Sequence, residues 1–75
     1  MRAYVLVRFN ADVDMARAHH ALDRPGVKSV DLVMGPYDAI AAIEANDYAG
    51  LVAIAKQIRG CPGIRESMTC PVAEA

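Results

Sequence analysis

Pro25-Gly26-Val27-Lys28 and Pro62-Gly63-Ile64-Arg65 are two similar stretches, and the second begins 37 positions after the first. Each stretch follows a segment with helical periodicity and leads into an apolar segment typical of a strand. The offset is about half of the 75-residue chain, which indicates a faint internal repeat. Two equivalent βαβ halves make up a ferredoxin-like domain, so the repeat predicts that architecture.

The first half of the chain begins with a strand and a helix. Residues 3–9 are rich in β-branched and aromatic side chains, and both faces of this predicted strand are largely apolar, so we expect both to be covered. Asn10 or Asp12 is expected to cap the helix, with Asp12 and Asp14 contributing negative charge to its first turn. The helix should end before Pro25, because the residue preceding a proline avoids the α region.

The remaining predicted elements continue the alternation of strands and helices. In chain order they are a strand over 27–34, a turn over 35–38, a strand over 39–45, a helix over 47–59 and a strand over 64–70. The strand over 39–45 could be helical on propensity alone, but a turn precedes it and a fresh helix cap follows it. Gly60 suits the C′ position of the second helix. In the last strand Ile64, Glu66, Met68 and Cys70 are expected to share one face.

These elements predict one domain over residues 1–75, of the α+β class and the ferredoxin-like βαββαβ type. An antiparallel four-stranded sheet carries both helices on one face in that fold, and its other face is bare. A domain of this size buries only about 60–65% of the surface of its unfolded chain. An apolar bare face with Tyr4 and Leu6, or their opposite partners, therefore predicts dimerisation through the sheet.

Composition and charge argue against several classes of protein. The net charge is −1, the pI is about 6.0 and the basic residues are scattered, so direct nucleic acid binding is not expected. No stretch approaches the roughly 18–20 apolar residues of a membrane helix. The N-terminus does not resemble a secretory signal, so we expect a cytoplasmic protein without membrane contacts.

Histidine and cysteine residues do not have the spacing of a metal site. His19 and His20 are adjacent, and adjacent helix residues point about 100° apart. Cys61 and Cys70 form no CxxC pair, and we interpret them as reduced thiols. We therefore predict no metal and no cofactor. A nucleophile–base pair of Cys61 with His20 remains open, because a sequence does not contain distances.

Two short polar constellations could bind a ligand. In the turn after the second strand, Gly35 permits close backbone approach, Tyr37 offers a ring and a hydroxyl, and Asp38 offers an anionic acceptor. From the residues alone, an ordinary hairpin turn in which Asp38 caps its own backbone is favoured about two to one over a ligand site. Ser67 and Thr69 share one face of the last strand, where they could bind a carboxylate or, more commonly, face solvent.

The segment 33–38 resembles the Gly-x-Tyr-Asp signature of the RAM effector domain of Lrp/AsnC transcriptional regulators. The segment 62–69 resembles the final strand of that domain, where Pro-Gly-Val leads to a hydroxyl-x-Thr pair. The resemblance covers nearly the whole chain, element by element. It implies a set of ligand-binding positions, with no catalytic residues, at Gly35, Tyr37, Asp38, Ser67 and Thr69.

The resemblance also implies partners. Members of that family dimerise through their sheets, the dimers assemble into octamers or decamers, and amino-acid effectors bind between dimers. The chain begins at the first strand of the effector domain without a helix-turn-helix, so it looks like a stand-alone RAM protein. A homo-oligomeric amino-acid sensor, rather than an enzyme, is then the expected function. It would modulate transcription only indirectly, through full-length Lrp/AsnC relatives.

Two alternatives remain open. One is a small enzyme of the dimeric ferredoxin-like barrel type, a monooxygenase or isomerase, with His19 or His20 as the polar group of an interior pocket. The other is a purely structural partner of full-length regulators that binds no small molecule. For the sensor, we expect Asp38→Ala to weaken ligand binding while the fold and the oligomer persist.

Overall fold

A computed structural model describes residues 1–73 and has the predicted order of elements, βαββαβ. The elements are β1 (Arg2–Phe9), α1 (Met15–Ala21), β2 (Val27–Leu32), β3 (Ala39–Glu44), α2 (Tyr48–Arg59) and β4 (Ile64–Pro71). Neighbouring strands are antiparallel in the order β2-β3-β1-β4, and both helices lie on one face. The structure confirms the ferredoxin-like α+β fold. Neither helix among the described residues is long and apolar enough to span a membrane.

The core lies between the sheet and the two helices. Val5 and Val7 of β1 are fully buried there, opposite Ala41 and Ala39 of β3. Small residues on β3 let the helices approach the sheet closely, and larger aliphatic side chains fill the space between them. Those larger side chains come from both helices and their ends: Leu22, Leu51, Ile54 and Ile58.

The other side of the sheet, termed the open face, is not covered by any element within residues 1–73. It carries Tyr4, Leu6, Arg8, Ile40, Ala42, Glu66, Met68 and Cys70. Tyr4 is 44% exposed and Met68 47% exposed. Both faces of the first strand were expected to be covered. Within one chain only the face toward the helices is covered.

The first helix begins later than predicted. Its N-cap is Asp14, whose Oδ1 accepts hydrogen bonds from the amides of Ala16 at 3.0 Å and Arg17 at 3.3 Å. The prediction of Asn10 or Asp12 as the cap is wrong, and no acidic residue lies in the first turn of α1. Asn10 instead donates its amide to the carbonyl of Gly63 at 2.8 Å, and its own carbonyl accepts from the amide of Val13 at 3.1 Å, so a turn separates β1 from α1.

The end of the second strand and the conformation of Gly60 also differ from the prediction. β2 ends at Leu32 rather than at residue 34, because the amide of Val33 bonds to the carbonyl of Asp38 at 2.9 Å and closes the connection. Met34 then lies outside the sheet and is 100% exposed. Gly60 is the C-cap of α2 with a φ of −81°, so it does not adopt the left-handed conformation expected of a C′ glycine.

The last strand contains a register shift that the simple alternation did not predict. Glu66 pairs with Arg8, whereas Ile64 pairs with Phe9, so the pairing skips Arg65. Ile64 consequently packs against the core on the helix side and does not share the open face with Glu66. Apolar burial of Ile64 outweighs regular pairing at this point.

The repeated Pro-Gly pairs have matching roles in the two halves. Gly26 has a φ of 93° and Gly63 a φ of 88°, which is a backbone conformation that favours glycine. A Cβ atom on Gly26 would collide with Ile54, and one on Gly63 would collide with Val13. The repeat therefore reflects two equivalent turns that both require glycine.

We predict that Gly63→Ala lowers the free energy of unfolding by about 1–2 kcal/mol or more, because alanine is strained at positive φ and meets Val13. Gly60→Ala is the matched control, since Gly60 has a negative φ and the nearest atom to an added Cβ is 3.5 Å away. Urea denaturation of both variants measures the difference. Equal stabilities of the two variants would contradict this account of the turn.

Candidate functional site

The connection between β2 and β3, residues 33–38, folds over the end of β1 and is termed the β2–β3 turn. The amide of Asp38 donates to the carbonyl of Val7 at 2.8 Å. Its carboxylate Oδ2 accepts a hydrogen bond from the amide of Phe9, also at 2.8 Å. Asp38 thus continues the pairing of β1 with β3 through both its backbone and its side chain, and this fixes the position of the turn.

Arg8 on β1 contacts the tip of the same turn. Its Nε donates to the carbonyl of Pro36 at 2.6 Å, and its guanidinium carbon lies 5.7 Å from the centre of the Tyr37 ring. Hydrogen bonds from a charged group are stronger than neutral ones, and the ring contact adds a cation–π attraction. The sequence motifs did not indicate Arg8. Its only signal was a charge next to the apolar pair Tyr4 and Leu6 on one face of the strand.

Tyr37 lies on the open face. Its hydroxyl donates to Sδ of Met68 on β4 at 3.7 Å, which is a weak, long contact to sulfur. The sequence motifs did not indicate Met68, which contacts Tyr37 of the turn. Tyr37, Arg8 and Met68 therefore form one cluster at the end of the open face.

Gly35 leaves the backbone of the turn accessible. It has a φ of 148°, a conformation that favours glycine, and an added Cβ would meet no atom of the described residues within 4 Å. A bound molecule could consequently approach the peptide groups beside Gly35 closely. The neighbouring Met34 is fully exposed and offers an apolar surface at the same tip.

Ser67 and Thr69 lie elsewhere in the same chain. They pair with Val7 and Val5, whose side chains point toward the helices, so both hydroxyls are on the helix side of the sheet. Both are half-buried, and Thr69 lines a cavity of about 210 Å³ between α2 and β4. The structure brings Gly35, Tyr37 and Asp38 together in one turn, but it leaves the two hydroxyls on the side of the sheet opposite Tyr37.

Arg8 on β1 and Asp38 in the turn carry opposite charges but do not form an ion pair with each other in the part of the chain that the structure describes. Arg8 bonds to the backbone of Pro36 and Asp38 bonds to the backbone of Phe9, and no ion pair joins the two side chains among the described residues. One carboxylate oxygen of Asp38 and the terminal nitrogens of Arg8 have no hydrogen-bond partner within residues 1–73. The turn and the adjoining end of β1 therefore offer one anionic acceptor, on Asp38, and one set of cationic donors, on Arg8.

The histidines occupy the outer surface of α1. Both are exposed, and Nε2 of His19 lies 3.1 Å from the carbonyl of Val30 on β2. The barrel-type enzyme would need a polar group in a pocket between the sheet and the helices. That space is filled by aliphatic side chains, and residues 1–73 contain no buried polar or charged residue.

The two cysteines are free thiols. Cys61 is buried, and its thiol donates to the carbonyls of Ala21 at 3.4 Å and Gln57 at 3.3 Å. Cys70 is exposed on the open face opposite Tyr4. Within residues 1–73, no group of three or more His, Cys, Asp or Glu residues could hold a metal ion.

Asp38→Ala is expected to lower the free energy of unfolding by about 1–2 kcal/mol, because the half-buried amide of Phe9 loses its acceptor. Asp38→Asn keeps an acceptor oxygen at the same place and should lower the free energy of unfolding by less. Urea denaturation compares the two variants. If alanine and asparagine proved equally stable, the hydrogen bond to Phe9 would not support the turn.

Comparisons with known proteins agree with this architecture. The family model described as the Lrp/AsnC ligand binding domain matches residues 2–75. A crystal structure of a protein from Thermus thermophilus is 28% identical with a TM-score of 0.87, and the match covers 99% of this chain and 94% of that one. No curated protein matches the chain significantly.

Two regulators share the fold at lower identity. An AsnC family transcriptional regulator from Agrobacterium tumefaciens is 18% identical with a TM-score of 0.85, over 99% of this chain and 50% of that one. A transcriptional regulator from Neisseria meningitidis, solved as a complex with L-Met, is 15% identical with a TM-score of 0.78, over 97% of this chain and 49% of that one. Since the family model spans all but the first residue, the chain belongs to the Lrp/AsnC ligand-binding domain family.

Proposed function

We propose that this chain is an oligomeric amino-acid-binding module whose ligand contacts the β2–β3 turn. The observation that carries the proposal is the juxtaposition of an accessible Gly35 backbone, the Tyr37 ring and the free oxygen of Asp38. Membership of a ligand-binding family supports a small-molecule ligand. The L-Met complex of the Neisseria meningitidis regulator supports an amino acid as its class.

Each group of the turn suits one part of an amino acid. The carboxylate of Asp38 uses Oδ2 for Phe9, and its other oxygen can accept a hydrogen bond from an ammonium group. The Tyr37 ring, together with Met68, offers an apolar surface for a side chain. The absence of a Cβ at Gly35 lets the ligand reach peptide groups of the turn.

In this proposal Ser67 and Thr69 contact the ligand that is bound at the turn of a second chain. They lie on the helix side of the sheet, so a ligand that contacts Tyr37 of one chain meets the hydroxyls of another. A site shared between chains fits the expected assembly of dimers into an octamer or decamer. The hydroxyls then act as additional hydrogen-bond donors and acceptors for a ligand held mainly by the turn.

The open face supports association of two copies. Its centre is apolar, and Tyr4 and Met68 are each more than two-fifths exposed in the single chain. When the same face of two copies packs together, the two copies are related by a two-fold axis and a single surface forms the whole interface. Such packing would also compensate for the small core of a 75-residue domain.

Amino-acid binding is tested by calorimetric titration of each of the twenty amino acids into the unaltered protein and into Asp38→Asn. At least one amino acid should bind, and Asp38→Asn should weaken it about 10–100-fold, because a charge-assisted hydrogen bond becomes neutral. His19→Gln is the control on the outer surface of α1 and should bind normally. A folded oligomer that binds none of the twenty would leave a purely structural role and contradict the sensor.

Association through the open face is tested by light scattering. The chain has a mass of 8.0 kDa, and we expect the unaltered protein to have the mass of a dimer or a larger even-numbered assembly. Met68→Glu should lower that mass by placing a charge in the apolar face. Met15→Glu is the matched control, since Met15 is 41% exposed on α1. The same loss of mass in both variants would contradict a sheet-to-sheet contact.

A further inference from the structure

We infer that Arg8 binds the carboxylate of the ligand and thereby restricts the β2–β3 turn to molecules that carry a free α-carboxylate. The inference rests on the proposed function, because it needs a ligand at this turn. Arg8 is outside the set of positions that the sequence motifs indicate, which comprises Gly35, Tyr37, Asp38, Ser67 and Thr69.

The first support is the unused donor capacity of Arg8. A guanidinium carries five N–H donors, and the described residues engage it through Nε to the carbonyl of Pro36 and through the Tyr37 ring. The two terminal nitrogens remain available. They form a planar fork whose spacing matches the two oxygens of a carboxylate.

The second support is the direction in which Arg8 points. Glu66 lies directly opposite Arg8 on β4, and side chains paired in this way are close enough to form an ion pair. No such pair forms among the described residues, because the guanidinium is held at the β2–β3 turn by Pro36 and Tyr37. A guanidinium with no other contact would be stabilised by an ion pair with Glu66. Its placement instead presents a cation at the same turn that contains Asp38.

The third support is the match between the turn and a zwitterion. An α-amino acid carries a carboxylate and an ammonium group on the same carbon atom. Arg8 can bind the carboxylate, and the free oxygen of Asp38 can bind the ammonium group. The Tyr37 ring lies against Arg8 and can contact the apolar side chain. For the amino acids of the proposed function, the Arg8 contact requires a free α-carboxylate, so amines, carboxamides and peptides with a blocked carboxyl group should bind more weakly than the free amino acid.

The experiment compares each amino acid that binds with its own α-carboxamide, using calorimetric titration. The unaltered protein should bind the carboxamide about 10–100-fold more weakly, since a charged pair is replaced by a neutral contact. Arg8→Gln should bind the amino acid and its carboxamide with the same, weakened affinity. Arg8→Lys keeps the charge without the planar fork and should retain part of the preference. Arg17→Gln, an exposed arginine on α1, is the control and should keep the full preference.

The possible outcomes separate this inference from the proposed function. If the unaltered protein binds an amino acid and its carboxamide equally, the inference is wrong and the amino-acid site stands; this comparison requires no variant to fold. If Arg8→Gln still prefers the carboxylate, another group binds it and the inference is also wrong. Arg8→Gln is also measured by light scattering. If its mass differs from that of the unaltered protein while it still prefers the amino acid over the carboxamide, Arg8 belongs to the contact between copies and does not bind the ligand. Absence of any binding by the unaltered protein overturns both proposals.

Discussion

The hydrogen bonds that Asp38 makes with the end of β1 determine the geometry of the candidate site. Its amide bonds to Val7 and its carboxylate to Phe9, so β1 and the β2–β3 turn cannot move independently. Because Arg8 lies between those two residues on β1, the same constraint brings its guanidinium to Pro36 and Tyr37. One side chain thereby converts an ordinary strand connection into a turn with a defined arrangement of charges and an aromatic ring.

Local patterns predicted the fold because the two halves use the same turn twice. Gly26 and Gly63 both require a left-handed backbone, and the repeat of Pro-Gly made this visible in the sequence. Element ends were less predictable where a distant partner decides them. Asn10 resembles a cap, but its amide is used by Gly63, in the other half of the chain, and the helix begins only after Asp14. A cap preference cannot reveal a contact with a residue so far along the chain.

The candidate site was partly predictable for a similar reason. The turn residues are contiguous, so the motif that contains Tyr37 and Asp38 could be found in the sequence. Arg8 and Met68 join it only through the pairing of β1 with its neighbours, which a single sequence does not specify. The register also places Thr69 on the side of the sheet opposite Tyr37, although the sequence motifs suggested one common site.

The turn and the open face share residues, and this links the two proposed roles. Tyr37 belongs to the turn, yet its hydroxyl contacts Met68, which lies on the apolar surface proposed to meet a second copy. A ligand that shifts the Tyr37 ring must change the shape of that surface. Thermodynamic linkage makes the coupling reciprocal, so association that orders Met68 must alter the affinity for the ligand by the same factor. Arg8 contacts the same ring from β1, so the two proposed surfaces also share this residue.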